Sequence, residues 1–443
     1  MNILFITHFF PPKHNAGTEN YTAGLAQTFS AKGHDVQVLC AEDWQSGPSY
    51  WNGVTKETYK GVPVHRIHLN WAKSSNPNRI LYDSVQVENW LGGFLGRLKP
   101  DLVHVTSIYS LGVGTFRAVK HVGIPLVLTL TDFWFICPSI QLLHNNGQLC
   151  NGKTTAWECQ ACLSTSSQKF QKLNLLLSEP IRPWVWEKLA QIPLVTRQRG
   201  FRGMLLDMLE RKQILTEALA IPDRVFSPSI FVQQMFAENS LNHIEVLRHG
   251  HDLSWLQKYN GKTKSNLLRF GYIGQIQTTK GVHVLVEAFQ RARLDRGARL
   301  DIWGSLDKDN DYTHNLEKLI GNSRSIKLRG RFQRDNLAEV LADIDVLVVP
   351  SLWYENAPLV IQEAFATKTP VIATNLGGMA EAVTHEGNGL LFERNDVADL
   401  AKQMQRVINE PSLLTRLQAG IPSVKTIEAE VDQLEMIYQE LVG

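Results

Sequence analysis

The chain has 443 residues, more than one hydrophobic core ordinarily serves, so two domains are the starting expectation. Hydrophobic residues make up 44% and charged residues 20%, which excludes a disordered, collagen-like or disulfide-scaffold chain. Forty-five Lys and Arg against 43 Asp and Glu leave a formal charge of +2, so no nucleic-acid partner is expected and any acidic surface must be met by a local patch.

The opening segment 1–8 reads as a buried strand, because it has no basic leader and runs into Pro11-Pro12 without a small-residue cleavage site. No window approaches the roughly 18 to 20 uncharged apolar residues of a membrane span. With five cysteines in the chain, a reducing cytoplasm is the expected compartment. Strand 3–6, a polar loop through Gly17, helix 18–31 and strand 36–40 make a β-α-β start, and 103–106 and 126–131 are further strands. Fully apolar strands alternating with amphipathic helices predict a parallel sheet covered on both faces. The rhythm lapses into a Cys- and Trp-bearing insertion at about 137–220.

It restarts with strands 269–273, 300–303, 326–328, 346–349, 371–373 and 389–392, separated by helices 282–293, 313–320, 336–342 and 359–366 and followed by helix 397–408. The predicted class is therefore α/β, with two doubly wound Rossmann-like domains at 1–248 and 249–425 and a last helix, 426–443, packing back on the first. Open sheets of this kind bind ligands at the carboxyl ends of their strands, which places the expected chemistry between the two domains.

Glu355 and Glu363 stand eight apart, spanning the loop after strand 346–349 and the first turn of the next helix. Unpaired N–H groups at that helix start suit hydroxyls or phosphate, although acidic residues there also simply complement the macrodipole. Gly274 and Gln275 end strand 269–273, and Lys280 precedes a helix, so a cation sits beside a Gly-bearing turn and can neutralise a diphosphate. No Walker motif or G-x-G-x-x-G is present. Asp307-Lys308-Asp309 has the form of a metal-binding D-x-D but reads as a solvated loop. Cys137, Cys150, Cys159 and Cys162 crowd into 26 residues and end in C-x2-C, a spacing compatible with a structural zinc or with plain thiols. Arg197, Arg199, Arg202, Arg211 and Lys212 flank apolar 204–209, either as the rim of a core-facing helix or as a peripheral contact with an anionic membrane.

Taken together, Pro11-Pro12, the Ala16-Gly17-Thr18-Glu19 turn, Lys280-Gly281, Glu355 with Glu363, Pro350-Ser351, Asn375-Leu376-Gly377-Gly378 and Asn388-Gly389 resemble a family 4 retaining glycosyltransferase of GT-B fold over nearly the whole chain. The resemblance implies two domains facing across a deep cleft and a metal-independent hexosyltransferase. The implied donor is a nucleotide sugar, UDP-glucose, and the implied acceptor a sugar hydroxyl of a polysaccharide or lipid-linked glycan. It also implies that Glu363 binds the ribose, that Glu355 with the backbone of Asn356, Ala357, Pro358 and Leu359 holds the donor sugar, and that Lys280 binds the diphosphate. Gly17, Thr18 and Glu19 approach the phosphates or the acceptor from the first domain. The family commonly has Arg where this chain has Gln275, so either Lys280 and backbone dipoles do more there or Arg331 or Arg248 replaces that charge. Asp132 matches the Asp of a family His-Asp pair; Thr131 stands in the His position, which leaves His104 as the candidate histidine. His251 resembles a cleft-lining residue. A sucrose-phosphate synthase-like enzyme, a nucleotide-sugar epimerase and a two-lobed sugar-binding protein share this architecture and remain alternatives.

Overall fold

A computed structural model describes residues 1–43, 47–166, 170, 176–294, 297–305 and 311–443. The chain forms two compact units, the first made of Met1–Pro228, Gln233–Arg248 and Glu428–Gly443, the second of Ser229–Val232 and His249–Ile427.

Unit 1 is built on an eight-stranded sheet in the order β3-β4-β2-β1-β5-β6-β7-β8. Its strands are β1 (Asn2–Thr7), β2 (Asp35–Asp43), β3 (Trp51–Tyr59), β4 (Val62–Leu69), β5 (Leu102–Val105), β6 (Leu126–Thr129), β7 (Arg224–Ser227) and β8 (Glu245–Val246). All neighbours run parallel except the β3/β4 hairpin. Ile3, Leu4, Phe5 and Ile6 are completely buried, as an apolar strand covered on both faces requires. The order turns in opposite directions from β1 and β5, so this pair is the switch point, and the loops after β1, β5 and β6 gather at one end of the sheet.

The insertion folds on itself. Trp186 is fully buried among Ala161, Phe170 and Leu205, with Trp157, Val195 and Phe201 packed around them. This satellite core brings together helices Ala156–Ser166 and Arg182–Ala190. The terminal helix Ile427–Val442 contributes its residues from Glu428 onward to unit 1, where Tyr438 stacks on Phe29 and Glu430 accepts from Tyr21 Oη at 2.7 Å.

Unit 2 has a six-stranded, wholly parallel sheet in the order β11-β10-β9-β12-β13-β14. Its strands are β9 (Leu268–Ile273), β10 (Ala298–Trp303), β11 (Ile326–Gly330), β12 (Val346–Val349), β13 (Val371–Thr374) and β14 (Gly389–Phe392). From β9 the chain winds outward to β11, then returns to β12 and winds the other way to β14. The switch point therefore lies between β9 and β12, and the loops that follow these two strands carry Lys280 and Glu355.

Candidate active site

The β9 and β12 loops of unit 2 are locked together by their backbones. Leu352 N–H donates to the Thr279 carbonyl at 2.8 Å. Gly281 has φ +67°, and a Cβ there would lie 2.0 Å from the Pro350 carbonyl oxygen, so only glycine permits the approach. Lys280 is thereby held opposite Glu355, with Nζ 2.6 Å from Oε1. The same oxygen accepts from Ser351 Oγ at 2.8 Å and from Trp353 Nε1 at 2.9 Å, and Lys280 Nζ sits 5.0 Å from the centre of the Trp353 ring. Thr279 Oγ1 is enclosed with no hydrogen-bond partner among the described residues. Burial, reinforced by the Glu355 charge, pushes the nearby Tyr272 phenol well above its ordinary pKa, and its hydroxyl donates to the Gln275 carbonyl at 2.7 Å.

The peptide from Glu355 to Asn356 is clamped from the other side. Gly378 N–H donates to the Glu355 carbonyl at 2.8 Å, and a Cβ on Gly378 would lie 2.2 Å from the Asn356 oxygen. Ser229 Oγ, which belongs to unit 2, donates to that oxygen at 2.8 Å. Helix Leu359–Ala366 then begins at Pro358 with no side-chain cap, leaving its first N–H groups near Ala357 and Leu359 to other partners. One turn into that helix Glu363 is buried, with a side chain only 7% exposed, and its Oε1 is ion-paired to the exposed Arg334. His251, tied to the end of the unit by its N–H bond to the Lys425 carbonyl, has its pKa pushed down to about 4 by burial, with help from the charges of Arg334 and Lys425.

Gln275, Arg331 and Arg248, also expected at the donor, are exposed. Gln275 is exposed beside Gly274, and Arg331 donates to Ser305 Oγ at 2.5 Å. Arg248 is an exposed residue of unit 1. Asp307-Lys308-Asp309 lies outside the described residues.

In unit 1, Gly17, Thr18 and Glu19 form the start of helix Gly17–Ala31, whose N-cap Ala16 offers no side-chain bond. Glu19 Oε1 lies 3.3 Å from His8 Nε2 at the end of β1. Burial raises the Glu19 pKa, but the hydrogen bond and charge of His8, followed by backbone and His14 contributions, bring it below the usual carboxylate value. Glu19 Oε2 and His8 Nδ1 are enclosed with no hydrogen-bond partner among the described residues. Asp132 follows β6, accepts the Trp134 N–H at 2.8 Å, and is raised above the ordinary range chiefly by burial, against the opposing charges of His8 and Arg211.

His104 requires a correction. It lies within β5, beside Phe5 of β1, with its side chain fully buried. Its Nε2 meets Thr129 Oγ1 at 2.8 Å, its Nδ1 meets Tyr438 Oη, and burial drives its pKa down to about 3. Both ring nitrogens are occupied inside the core, so His104 presents none to a substrate. His8 is the histidine beside Glu19, and its position directly after strand Asn2–Thr7 was the signal in the sequence.

The zinc expectation also fails. Among the described residues no three His, Cys, Asp or Glu side chains converge to hold a metal. Cys137 Sγ contacts Ser139 Oγ at 3.2 Å, Cys159 Sγ contacts Thr154 Oγ1 at 3.0 Å and Cys150 Sγ accepts the Gly152 N–H at 3.3 Å. Burial raises the Cys150, Cys159 and Cys162 thiols, which favours the neutral form over the metal-binding thiolate. No described helix is long and apolar enough to cross a membrane.

Both units carry a doubly wound α/β sheet, and the second places the Lys280–Glu355 pair in the loops at its switch point. The family described as Glycosyl transferases group 1 matches residues 255–422, and the Glycosyl transferase 4-like domain matches residues 16–164. An uncharacterised glycosyltransferase of Methanocaldococcus jannaschii is 24% identical over 421 residues, 93% of this chain and 90% of that protein. The structure of Anabaena HepE in complex with UDP is similar with a TM-score of 0.66 at 16% identity, covering 99% of this chain and 100% of that one. Sucrose-phosphate synthase from Thermosynechococcus elongatus is similar with a TM-score of 0.64, also at 16% identity, covering 100% and 99%. The chain belongs to the family 4 glycosyltransferases of GT-B fold.

Proposed function

We propose that this glycosyltransferase moves a hexose, glucose, from UDP-glucose to a sugar hydroxyl of a growing polysaccharide or lipid-linked glycan, with retention at the anomeric carbon. The observation that carries the reading is the Lys280–Glu355 pair at the β9/β12 switch point, followed one helix turn later by buried Glu363. Glu363 accepts the ribose hydroxyls once Arg334 gives way. Lys280 exchanges Glu355 for the donor diphosphate, assisted by the unpartnered Thr279 hydroxyl. Glu355 and the N–H groups around Ala357 and Leu359 hold the sugar.

Glu355 Oε1 already accepts from a lysine, a serine and a tryptophan, which lowers its nucleophilicity and suits a binding role better than a covalent one. The acceptor oxygen therefore attacks the anomeric carbon on the face from which the diphosphate leaves. The C1–O bond to phosphate breaks, the new C1–O bond forms, and the acceptor proton passes to the departing phosphate oxygen, whose charge Lys280 stabilises. The UDP bound in the Anabaena relative supports the choice of nucleotide.

A panel of nucleotide sugars incubated with sugar and lipid-linked acceptors, read by mass spectrometry, tests the reading. The expected result is UDP release matched by one hexose added to an acceptor. Conversion of the donor to an epimer without transfer, or stoichiometric binding without turnover, would sink it.

A further inference from the structure

Large apolar side chains are unevenly distributed over the surface. Of thirteen that are exposed among the described residues, seven fall between 176 and 209. Single exposed apolar residues need no explanation, but such a concentration does. Helix Arg182–Ala190 shows how it arises. Trp186 is spent on the satellite core, whereas Trp184, about 200° around the helix from it, is 58% exposed. Ile181, Trp184 and Lys188 follow the i, i+3, i+7 spacing of one helical face, and all three are exposed. The chain then turns through exposed Ile192 and Leu194, the latter 74% exposed.

The same segment is basic in a chain that is nearly neutral overall. Residues 176–202 hold five Lys and Arg against two Glu. Lys188, Arg197 and Arg202 are exposed, while Arg182 is turned back to the Leu177 carbonyl. The basic stripe expected around 204–209 contributes less, because Leu205 and Met208 are buried and Arg211 donates to the Trp134 carbonyl in the interior.

We propose that this face of the insertion docks on an anionic phospholipid bilayer. Trp184 and Leu194 enter the headgroup boundary, where an amphipathic indole is favoured, and Lys188, Arg197 and Arg202 meet the lipid phosphates. A net positive charge along a segment that also exposes large apolar side chains complements an anionic surface. None of these residues belongs to the proposed donor site, so docking stands or falls independently of the transferase reading.

The test is co-sedimentation of the full chain with vesicles of phosphatidylcholine alone and with about 30% phosphatidylglycerol. The protein should pellet with the anionic vesicles only, and salt should reverse the binding. Trp184→Ser with Leu194→Ser should weaken partitioning about tenfold or more, as loss of two inserted apolar groups requires. Lys188→Glu with Arg197→Glu should abolish the preference for anionic lipid, with circular dichroism and thermal melting of both variants matching the parent. Failure of the parent to pellet, equal binding to neutral vesicles, or unchanged partitioning in both variants overturns the proposal. A lipid-free dimer that the Trp184/Leu194 variant loses would assign the face to a second copy and overturn it equally.

Discussion

At the scale of single residues, Lys280 is the one whose charge the proposed chemistry uses most. It is held 2.6 Å from Glu355 and against Trp353, so its ammonium is positioned before any ligand arrives. Lys280→Ala should lower kcat by a factor of about 10² to 10³, with a smaller change in donor KM, because the charge acts mainly as the diphosphate departs. Steady-state kinetics on the folded variant checks this, and near-normal kcat would assign the leaving group to another cation. Glu363→Gln should weaken UDP binding by about 1.5 to 3 kcal/mol, since an amide offers the ribose one fewer charged acceptor. Arg334 is ion-paired to that carboxylate, so a ribose taking its place must displace the guanidinium. Calorimetry giving equal UDP affinity in variant and parent would refute the ribose assignment.

Elements position these residues through glycines at two close approaches. The β9 loop reaches the β12 loop only because Gly281 is left-handed and bare beneath the Pro350 carbonyl. A methyl group there must push backbone against backbone, with no flexible side chain to give way. Gly281→Ala should therefore separate Lys280 from Glu355 and reduce turnover at least as far as Lys280→Ala, while costing about 1 kcal/mol or more of stability from the φ penalty alone. Thermal melting and kinetics on the same sample check both effects; an active, unshifted variant would show that the loop contact does not set the site. The six strands of unit 2 were readable because each is a short apolar run between amphipathic helices. The β3 strand was not: Trp51–Tyr59 is partly or fully exposed along its length, so no buried face imprints a pattern on it.

On the scale of unit 1 as a whole, the terminal helix closes a polar core. Glu430 and Tyr438 supply partners to Tyr21 and His104, residues more than 300 positions away. His104 is held neutral by burial, with a pKa near 3 against 6.5 outside the fold. The unfolded chain therefore binds the extra proton between these values, and stability must fall as pH drops below 6.5. The expected loss is about 1.4 kcal/mol per pH unit for this residue, absent from a His104→Gln variant. Urea unfolding at a series of acidic pH values measures the difference, and parallel profiles for parent and variant would show that His104 is not buried neutral.

Periodicity alone determined the two α/β halves and the six strands of the second sheet, because apolar runs and helical spacing are local properties of the chain. The motif around Lys280, Glu355 and Glu363 was likewise visible, since each residue follows a readable strand or opens a readable helix. Which donors share Glu355 Oε1, and that Arg334 covers Glu363, depended on loops from different strands meeting at the switch point. The exchange of His104 for His8 had the same origin. Both histidines accompany apolar strands, but register put one inside the sheet and a distant helix supplied its partners, while the other emerged beside Glu19. Likewise, four crowded cysteines are a fact of sequence, but convergence on a metal is a matter of side-chain direction, which only packing decides.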